Sequence, residues 1–209
     1  MEALIRQQVQ DEDIETIEEI VLDDWKGNSI SQHDKAVLEA YTSLNFLSMS
    51  GCGLTSLANF PNLGALLKLD LSKNSITGGL DNLSNCVELM QLSLTENQIK
   101  TIDSLQPLAN LPNLLSLELE DNPVAEVEGY REKVFELCSS LEVLDGLNVE
   151  GQEVSMSEEE GSDEDFSPDS DFEDFEEEEE DESFDSEEEK PKRKRRGGDP
   201  EPQPRKHKK

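Results

Sequence analysis

The sequence predicts an α/β solenoid, a curved parallel sheet with a helical cap at its front and a second cap at its back, followed by a disordered acidic tail. Three observations predict it: an apolar motif that recurs through the first two thirds of the chain, amphipathic segments on either side of that motif, and a run of 33 residues with 21 Asp or Glu and no Lys or Arg. The predicted body is 1–149, the acidic tail 150–189 and a basic C-terminal segment 190–209.

The recurring motif is Leu-x-x-Leu-x-Leu-x-x-Asn-x-Ile, where x is any residue. Full copies begin at Leu44, Leu66, Leu89 and Leu114, and a degenerate first copy begins at Ile17. The copies are 27, 22, 23 and 25 residues apart, within the roughly 20–29-residue period of leucine-rich repeats. Each Leu-x-Leu centre predicts a short strand with its leucines inward, so that stacked copies share one core along a parallel sheet.

The asparagine position of each copy is predicted to be structural. The tight turn after a strand leaves backbone groups that need partners, and an inward amide supplies them. The residues at this position are Asn74, Asn97 and Asn122, with Cys52 in the second copy and Trp25 in the degenerate first copy. The other cysteines, Cys86 and Cys138, have apolar neighbours and are predicted to be buried, inert thiols. Three scattered cysteines predict neither a disulfide framework nor a metal cluster.

The two open ends of the array need caps. At the front, residues 2–10 predict a short amphipathic helix over the first strand. Its apolar side chains are Leu4, Ile5 and Val9. At the back, residues 130–146 predict a helix and then a last strand from Leu141 to Leu144. The helix is expected to bury Val134, Phe135 and Leu137. Residues 26–35, which include His33, are predicted to be a loop.

The side chains between the strand leucines are expected to point outward on the concave face. They are Ser48, Ser50, Lys68, Asp70, Ser72, Gln91, Ser93, Thr95, Ser116, Glu118 and Glu120. This polar, mildly acidic set has two interpretations, a protein-docking surface and a solvated sheet face. For docking, the candidate contact residues are Lys68, Asp70, Gln91, Ser93, Ser116, Glu118 and Glu120.

Charge narrows the classes of partner. The formal net charge is −32, divided as −17 in residues 1–149, −21 in residues 157–189 and +8 in residues 190–209, with Glu150 and Glu153 supplying the remainder. Such a body and tail repel phosphates, so direct nucleic-acid binding is not expected and a basic protein partner is favoured. The sequence has neither a signal peptide nor an apolar run of about 18 residues, so we expect no membrane span and a reducing interior compartment.

The sequence offers no catalytic constellation. His33 and His207 are the two histidines, and neither completes a credible nucleophilic triad or dyad. The Thr77–Gly79 segment lacks the following Lys of a phosphate-binding loop. The prediction is therefore a protein that is not an enzyme and has no catalytic, cofactor-binding or metal-binding residues.

Four phenylalanines interrupt the acidic run. Carboxylates attract and steer a basic partner, while phenylalanines can anchor it in apolar pockets. Core histones, whose DNA-binding surfaces are basic, suit this combination; the other interpretation of the phenylalanines is chance composition. The candidate histone-binding residues are Glu158, Glu159, Glu160, Asp163, Glu164, Asp165, Phe166, Asp171, Phe172, Phe175, Glu176, Glu177 and Phe184.

Serines and a basic cluster predict modification and nuclear import. Acid-directed kinase sites are Ser155, Ser157, Ser162, Ser170 and Ser186, and Ser167 precedes a proline. Each phosphate adds roughly −1.5 to −2 charges. The basic cluster, which predicts an import signal read by a nuclear import receptor, comprises Lys190, Lys192, Arg193, Lys194, Arg195 and Arg196. Its alternative is a countercharge that folds back on the acidic run.

Three segments of the body resemble the acidic leucine-rich nuclear phosphoprotein 32 family. They are Gly53–Asn59, Gly78–Leu80, and the back cap from Tyr130-Arg131 through Val134-Phe135 to Leu144–Gly146. The resemblance covers residues 1–150 in detail and the tail by composition. It implies a nuclear protein, shuttling with the cytoplasm, that chaperones histones, controls transcription and inhibits a phosphatase. The acidic run is short for this family, and its phenylalanines and the Trp25 copy depart from the family pattern.

Three functions therefore remain open. The first is a histone-binding chaperone that regulates chromatin and transcription. The second is an inhibitor of a protein phosphatase. The third is a generic interaction scaffold in nuclear RNA processing or export, with the tail acting only as a solubiliser.

Overall fold

Six parallel strands in sequence order form the sheet of the body. In the computed structural model, which describes residues 1–10 and 13–154, each strand pairs with the next one along the chain. The strands are β1 (Glu19–Val21), β2 (Phe46–Ser48), β3 (Lys68–Asp70), β4 (Gln91–Ser93), β5 (Ser116–Glu118) and β6 (Val143–Leu144). The predicted α/β solenoid with a parallel sheet is confirmed.

The strands are in register on their inward leucines. Leu47 lies opposite Leu69, which lies opposite Leu92, which lies opposite Leu117. Variation of the repeat length is absorbed in the segments between strands. The segment from β1 to β2 holds an α-helix, and those that follow β3, β4 and β5 each hold a 3₁₀ helix. The buried leucines, isoleucines and valines of all the copies form a single hydrophobic core, as expected for units that cannot bury an apolar face alone.

The front cap is α1 (Glu2–Val9), with Ile5 and Val9 buried against the core as predicted. Leu4 is 41% exposed, so its predicted role in covering the first strand is wrong. At the back, α3 (Tyr130–Leu137) buries Tyr130 and Val134. Phe135 and Leu137 are only partly buried, because the buried face of this short helix follows the four-residue spacing from Tyr130 to Val134.

Residues 26–35, predicted to be a loop, contain the start of a helix. This helix, α2, spans Gln32–Leu38, so His33 lies in a helix and not in a loop. Ser31 caps it: the Ser31 hydroxyl accepts from the Asp34 N–H at 3.1 Å, and the Asp34 carboxylate accepts from the Ser31 N–H at 3.1 Å. Leu38, at the last turn, is fully buried. The 27-residue spacing of the first two copies accommodates this extra helix.

The asparagines bond the backbone as predicted. Asn74 and its equivalents each accept from a backbone N–H of the preceding copy and donate to carbonyls after two neighbouring strands. At the same position Cys52 Sγ lies 3.2 Å from the Leu22 carbonyl oxygen. Cys86 and Cys138 are also free and buried. Among the described residues, no helix has the length and apolarity needed to cross a membrane.

Candidate functional site

The concave face brings six of the seven candidate contact residues into one shallow cleft. Its volume is about 190 Å³. The six are Lys68, Asp70, Gln91, Ser93, Ser116 and Glu118. They converge because outward positions of neighbouring parallel strands lie about 4.8 Å apart. Glu120 lies outside this cleft, in a second one at the back of the array. That these residues bind a partner stays a prediction.

Phe46 also lines the concave cleft, although it is not among the predicted contact residues. It occupies the outward position of β2 before Leu47, opposite Lys68. The sequence carried a signal for this residue, because an aromatic residue at an outward strand position is an unusual choice for a solvated face. In the structure the side chain of Phe46 is partly exposed. Phe46 adds an aromatic surface to a cleft that Leu69 and Leu92 also line.

A hydrogen-bonded corner orders the front of the concave face. The Asp23 carboxylate accepts from the Ser48 hydroxyl at 2.5 Å and from the Ser50 N–H at 3.0 Å. The Ser50 hydroxyl in turn lies 2.9 Å from that of Ser72. Ser48 is therefore only 3% exposed, because the Asp23 carboxylate covers its side chain on the concave face.

The cleft at the back of the array is built around Tyr130 and Arg131. The Tyr130 hydroxyl donates to Asp145 Oδ2 at 2.9 Å, while Asp145 Oδ1 accepts from the Leu119 N–H at 2.7 Å. Burial, reinforced by the neighbouring Asp145 carboxylate, raises the pKa of Tyr130 well above its usual range. Arg131 donates to the Leu144 and Asn148 carbonyls and lies over the Phe135 ring. The polar groups of Tyr130, Arg131 and Asp145 all bond to other groups of the protein, so we assign these residues a structural role in the back cap.

The backbone of the cap continues to the end of the described residues. The Val154 N–H donates to the Gly146 carbonyl at 2.9 Å, and Leu147 pairs with Glu153. The candidate tail residues, the six serines and the basic cluster all lie outside the described residues. The domain boundaries at 149 and 189 stay predictions.

The cysteines of the body are in their unreactive form. Burial raises the pKa of Cys52 and of Cys138 to about 11, and it raises the pKa of Cys86 as well. The thiolate, and not the thiol, is the form that acts as a nucleophile or binds a metal. At neutral pH these three cysteines are therefore weak nucleophiles and weak metal ligands. Within residues 1–10 and 13–154, no three His, Cys, Asp or Glu side chains converge as a metal ion would need.

Comparison with known proteins decides the family. The leucine-rich repeat family model matches residues 2–166. The chain belongs to the leucine-rich repeat family. A chain in the crystal structure of the Drosophila melanogaster SNF/U2A′ complex has a similar fold, with a TM-score of 0.57 and 25% identity over 75% of this chain and 85% of that one. Solenoids of this kind typically use extended concave surfaces to bind other proteins.

Curated relatives carry the name anticipated from the motifs. Acidic leucine-rich nuclear phosphoprotein 32 family member A of Drosophila melanogaster is 39% identical over 68% of this chain and 52% of its own length. The related protein 1 of Caenorhabditis elegans is 38% identical over 70% of this chain and 64% of its own length. The related protein 1 of Oryza sativa is 44% identical over 56% of this chain and 25% of its own length. The resemblance is confirmed, and the chain spans about half the length of the fly relative.

Proposed function

We propose that this protein is a nuclear, non-enzymatic histone chaperone that regulates chromatin and transcription, in which the acidic segment captures core histones. The observation that carries the proposal is the acidic run itself, with 21 acids in residues 157–189 and four phenylalanines among them. The names of the curated relatives, nuclear phosphoproteins with a similar repeat body, support the compartment. The capped repeat body supports a binding role, because solenoids of this kind present extended binding surfaces.

Charge and aromatic contacts contribute differently to such capture. At physiological salt the Debye length is about 8 Å, so exposed carboxylates steer a basic partner mainly at close range and lose influence as salt rises. Phenylalanine contacts persist at high salt because apolar burial is not screened. The body adds a net charge of −17 in residues 1–149, which favours approach of the same partner and disfavours DNA.

The test replaces residues 157–189 with a Gly/Ser linker of equal length in the full chain. Binding to purified core-histone dimers and to purified core-histone tetramers is measured at several salt concentrations, together with release of histones from DNA. We expect the linker variant to lose at least roughly a hundredfold in affinity. Equal binding by the linker variant would assign histone contact elsewhere and refute the proposal.

A second variant separates anchors from charge. Changing Phe166, Phe172, Phe175 and Phe184 to Ser keeps every carboxylate. Affinity should fall most at high salt, where charge contributes least. Unchanged affinity at every salt concentration would leave charge alone as the cause.

Phosphomimetic Asp at Ser162 and Ser170 should strengthen binding at low salt, because each added charge increases the attraction.

A generic interaction scaffold is the second candidate function. The likeness to a chain of the SNF/U2A′ complex favours it, since that chain belongs to a protein–protein complex. A scaffold would retain its partners in the Gly/Ser linker variant, whereas a chaperone would not.

We also propose that residues 190–196 bind an import receptor. A fluorescent fusion should lose nuclear accumulation when Lys192 to Arg196 are changed to Ala.

A further inference from the structure

A continuous row of residues follows the N-terminal edge of the sheet. It consists of the residue that precedes each strand: Glu18, Asn45, Leu67, Met90, Leu115 and Glu142. From Asn45 onward, the backbone N–H of each donates to the carbonyl of the one before, at 2.8 or 2.9 Å throughout. The strand ladder thus fixes their spacing at about 4.8 Å. We call these six residues the edge row.

The centre of the edge row is apolar and accessible. Leu67 is 36% exposed and Met90 is 37% exposed, and Leu115 between Met90 and Glu142 is partly exposed. Leu67 also lines a cleft of about 410 Å³ with Phe46 of the concave face. None of these three side chains belongs to the hydrophobic core, which is built from the buried side chains of each copy. Aligned, exposed apolar side chains are typical of a binding surface.

The two ends of the edge row are acidic. Glu18 and the adjacent Glu19 lie at one end and Glu142 at the other, and all three are exposed. Asn45 Nδ2 donates to Glu18 Oε2 at 3.1 Å, which holds that carboxylate at the row. A second copy of the chain that packed its row against this one would place acid on acid in either direction. These charges therefore disfavour self-association through the row and favour a partner with cationic ends.

We propose that the edge row binds an amphipathic helix of a partner protein, with an apolar stripe at its centre and Lys or Arg at both ends. The spacings agree. Leu67 to Leu115 spans two strand intervals, about 10 Å, and helix positions i and i+7 are about 10.5 Å apart. Glu18 to Glu142 spans five intervals, about 24 Å, the length of about 16 helical residues. The edge row shares no residue with the acidic segment of the proposed function.

The test uses a synthetic helix as its probe. The peptide has about 16 residues, Lys at both ends and Leu at i, i+4 and i+7, in an Ala/Gln background. The control peptide has the same composition and the same terminal Lys, with its leucines distributed around the helix. Both are titrated against the full chain by fluorescence anisotropy. Because the acidic run attracts both peptides equally, the difference between them reports the stripe.

The decisive variant is Leu67→Ser with Met90→Ser. Both side chains are exposed, so the fold should survive, which a thermal melt checks. We expect the wild type to bind the striped peptide at least roughly tenfold more tightly than the control, as partial burial of two or three apolar side chains predicts. The double variant should lose this preference. Val149→Ser, which removes a 72% exposed apolar side chain outside the row, should keep it.

Three outcomes would overturn the proposal. The first is equal binding of both peptides by the wild type. The second is a preference that survives Leu67→Ser with Met90→Ser. The third is a wild-type dimer that becomes monomeric in the double variant and that the striped peptide does not dissociate, which would assign the row to a second copy. The Gly/Ser linker variant keeps this test independent: it should retain the peptide preference whether or not it binds histones.

Discussion

Asn97→Ala tests whether the asparagine position holds the array together. Asn97 is fully buried. Its Oδ1 accepts from the Ile76 N–H at 2.9 Å, and its Nδ2 donates to the Leu71 and Leu94 carbonyls, both at 2.9 Å. One amide thus connects two neighbouring copies through backbone groups that water does not reach. Alanine removes all of these bonds at once.

We expect most of the lost stability to come from the Ile76 N–H, which is left without an acceptor. The Leu71 carbonyl also accepts from Asn74 Nδ2 at 2.9 Å, and the Leu94 carbonyl also accepts from Asn122 Nδ2 at 2.8 Å, so both keep a donor. The Ile76 N–H loses its acceptor, and a buried unsatisfied donor costs about 1–3 kcal/mol. The lost donations and the small cavity add about 1 kcal/mol. We expect the free energy of unfolding to fall by about 2–4 kcal/mol.

Urea denaturation followed by circular dichroism measures this loss. A fall of this size is a large part of the roughly 5–15 kcal/mol of a typical domain. The control is Asn113→Ala, which removes a donation at 3.0 Å to the Val87 carbonyl from an exposed side chain and should cost less than about 0.5 kcal/mol. A loss below about 1 kcal/mol for Asn97→Ala, or one no larger than for the control, would refute the argument that unsatisfied buried groups set the cost.

Three further predictions concern a glycine near Trp25, the back cap and the buried cysteines. Gly27→Ala would place a Cβ 2.1 Å from ring atoms of Trp25. Because one of the two must shift, the free energy of unfolding, measured by a thermal melt, should fall by about 1–3 kcal/mol. Gly64→Ala, with no atom within 4 Å of its Cβ, is the matched control. Tyr130→Phe removes the donation to Asp145 and should cost about 1–3 kcal/mol; in the wild type the raised pKa of Tyr130 predicts that its phenolate absorbance appears only once the fold is lost. Iodoacetamide at pH near 8 should leave Cys52, Cys86 and Cys138 unlabelled in the native protein and label all three in denaturant, by mass spectrometry; labelling of the native protein would contradict the burial that raises their pKa values.

The repeat predicted the sheet because its period carries two physical requirements together. Inward leucines must stack from copy to copy, and each turn must satisfy its backbone groups. The first requirement is met by Leu69 and Leu92, which pair across neighbouring strands, and the second by the buried Asn97. Each of these residues has a fixed position in the motif, so the motif predicted both the strand order and the inward side chains. The caps followed from the need to cover the ends of any such array.

The missed features depend on contacts that the motif does not contain. Helix α2 lies in the one long interval between copies, and its signal was local: Ser31 followed by Asp34, a capping pair. Ser48 is covered by Asp23 from the preceding copy, a contact that becomes visible only when the strands are aligned. The same alignment shows Leu67 and Met90 to be neighbours, although they are 23 positions apart in the sequence. As single residues they are ordinary exposed apolar side chains.

The ends of the sheet limit how a partner can bind. At β1 the Gln8 side chain substitutes for a neighbouring strand: its Oε1 accepts from the Val21 N–H at 3.0 Å, and its Nε2 donates to the Val21 carbonyl. At β6 the Leu144 N–H donates to the Leu147 carbonyl at 2.9 Å, and Arg131 donates to the Leu144 carbonyl at 2.9 Å. A partner that added a strand at either end would have to displace these bonds. Both outer strands of the sheet are thus covered, so the binding that we propose for the edge row is a contact through side chains and not the addition of a strand.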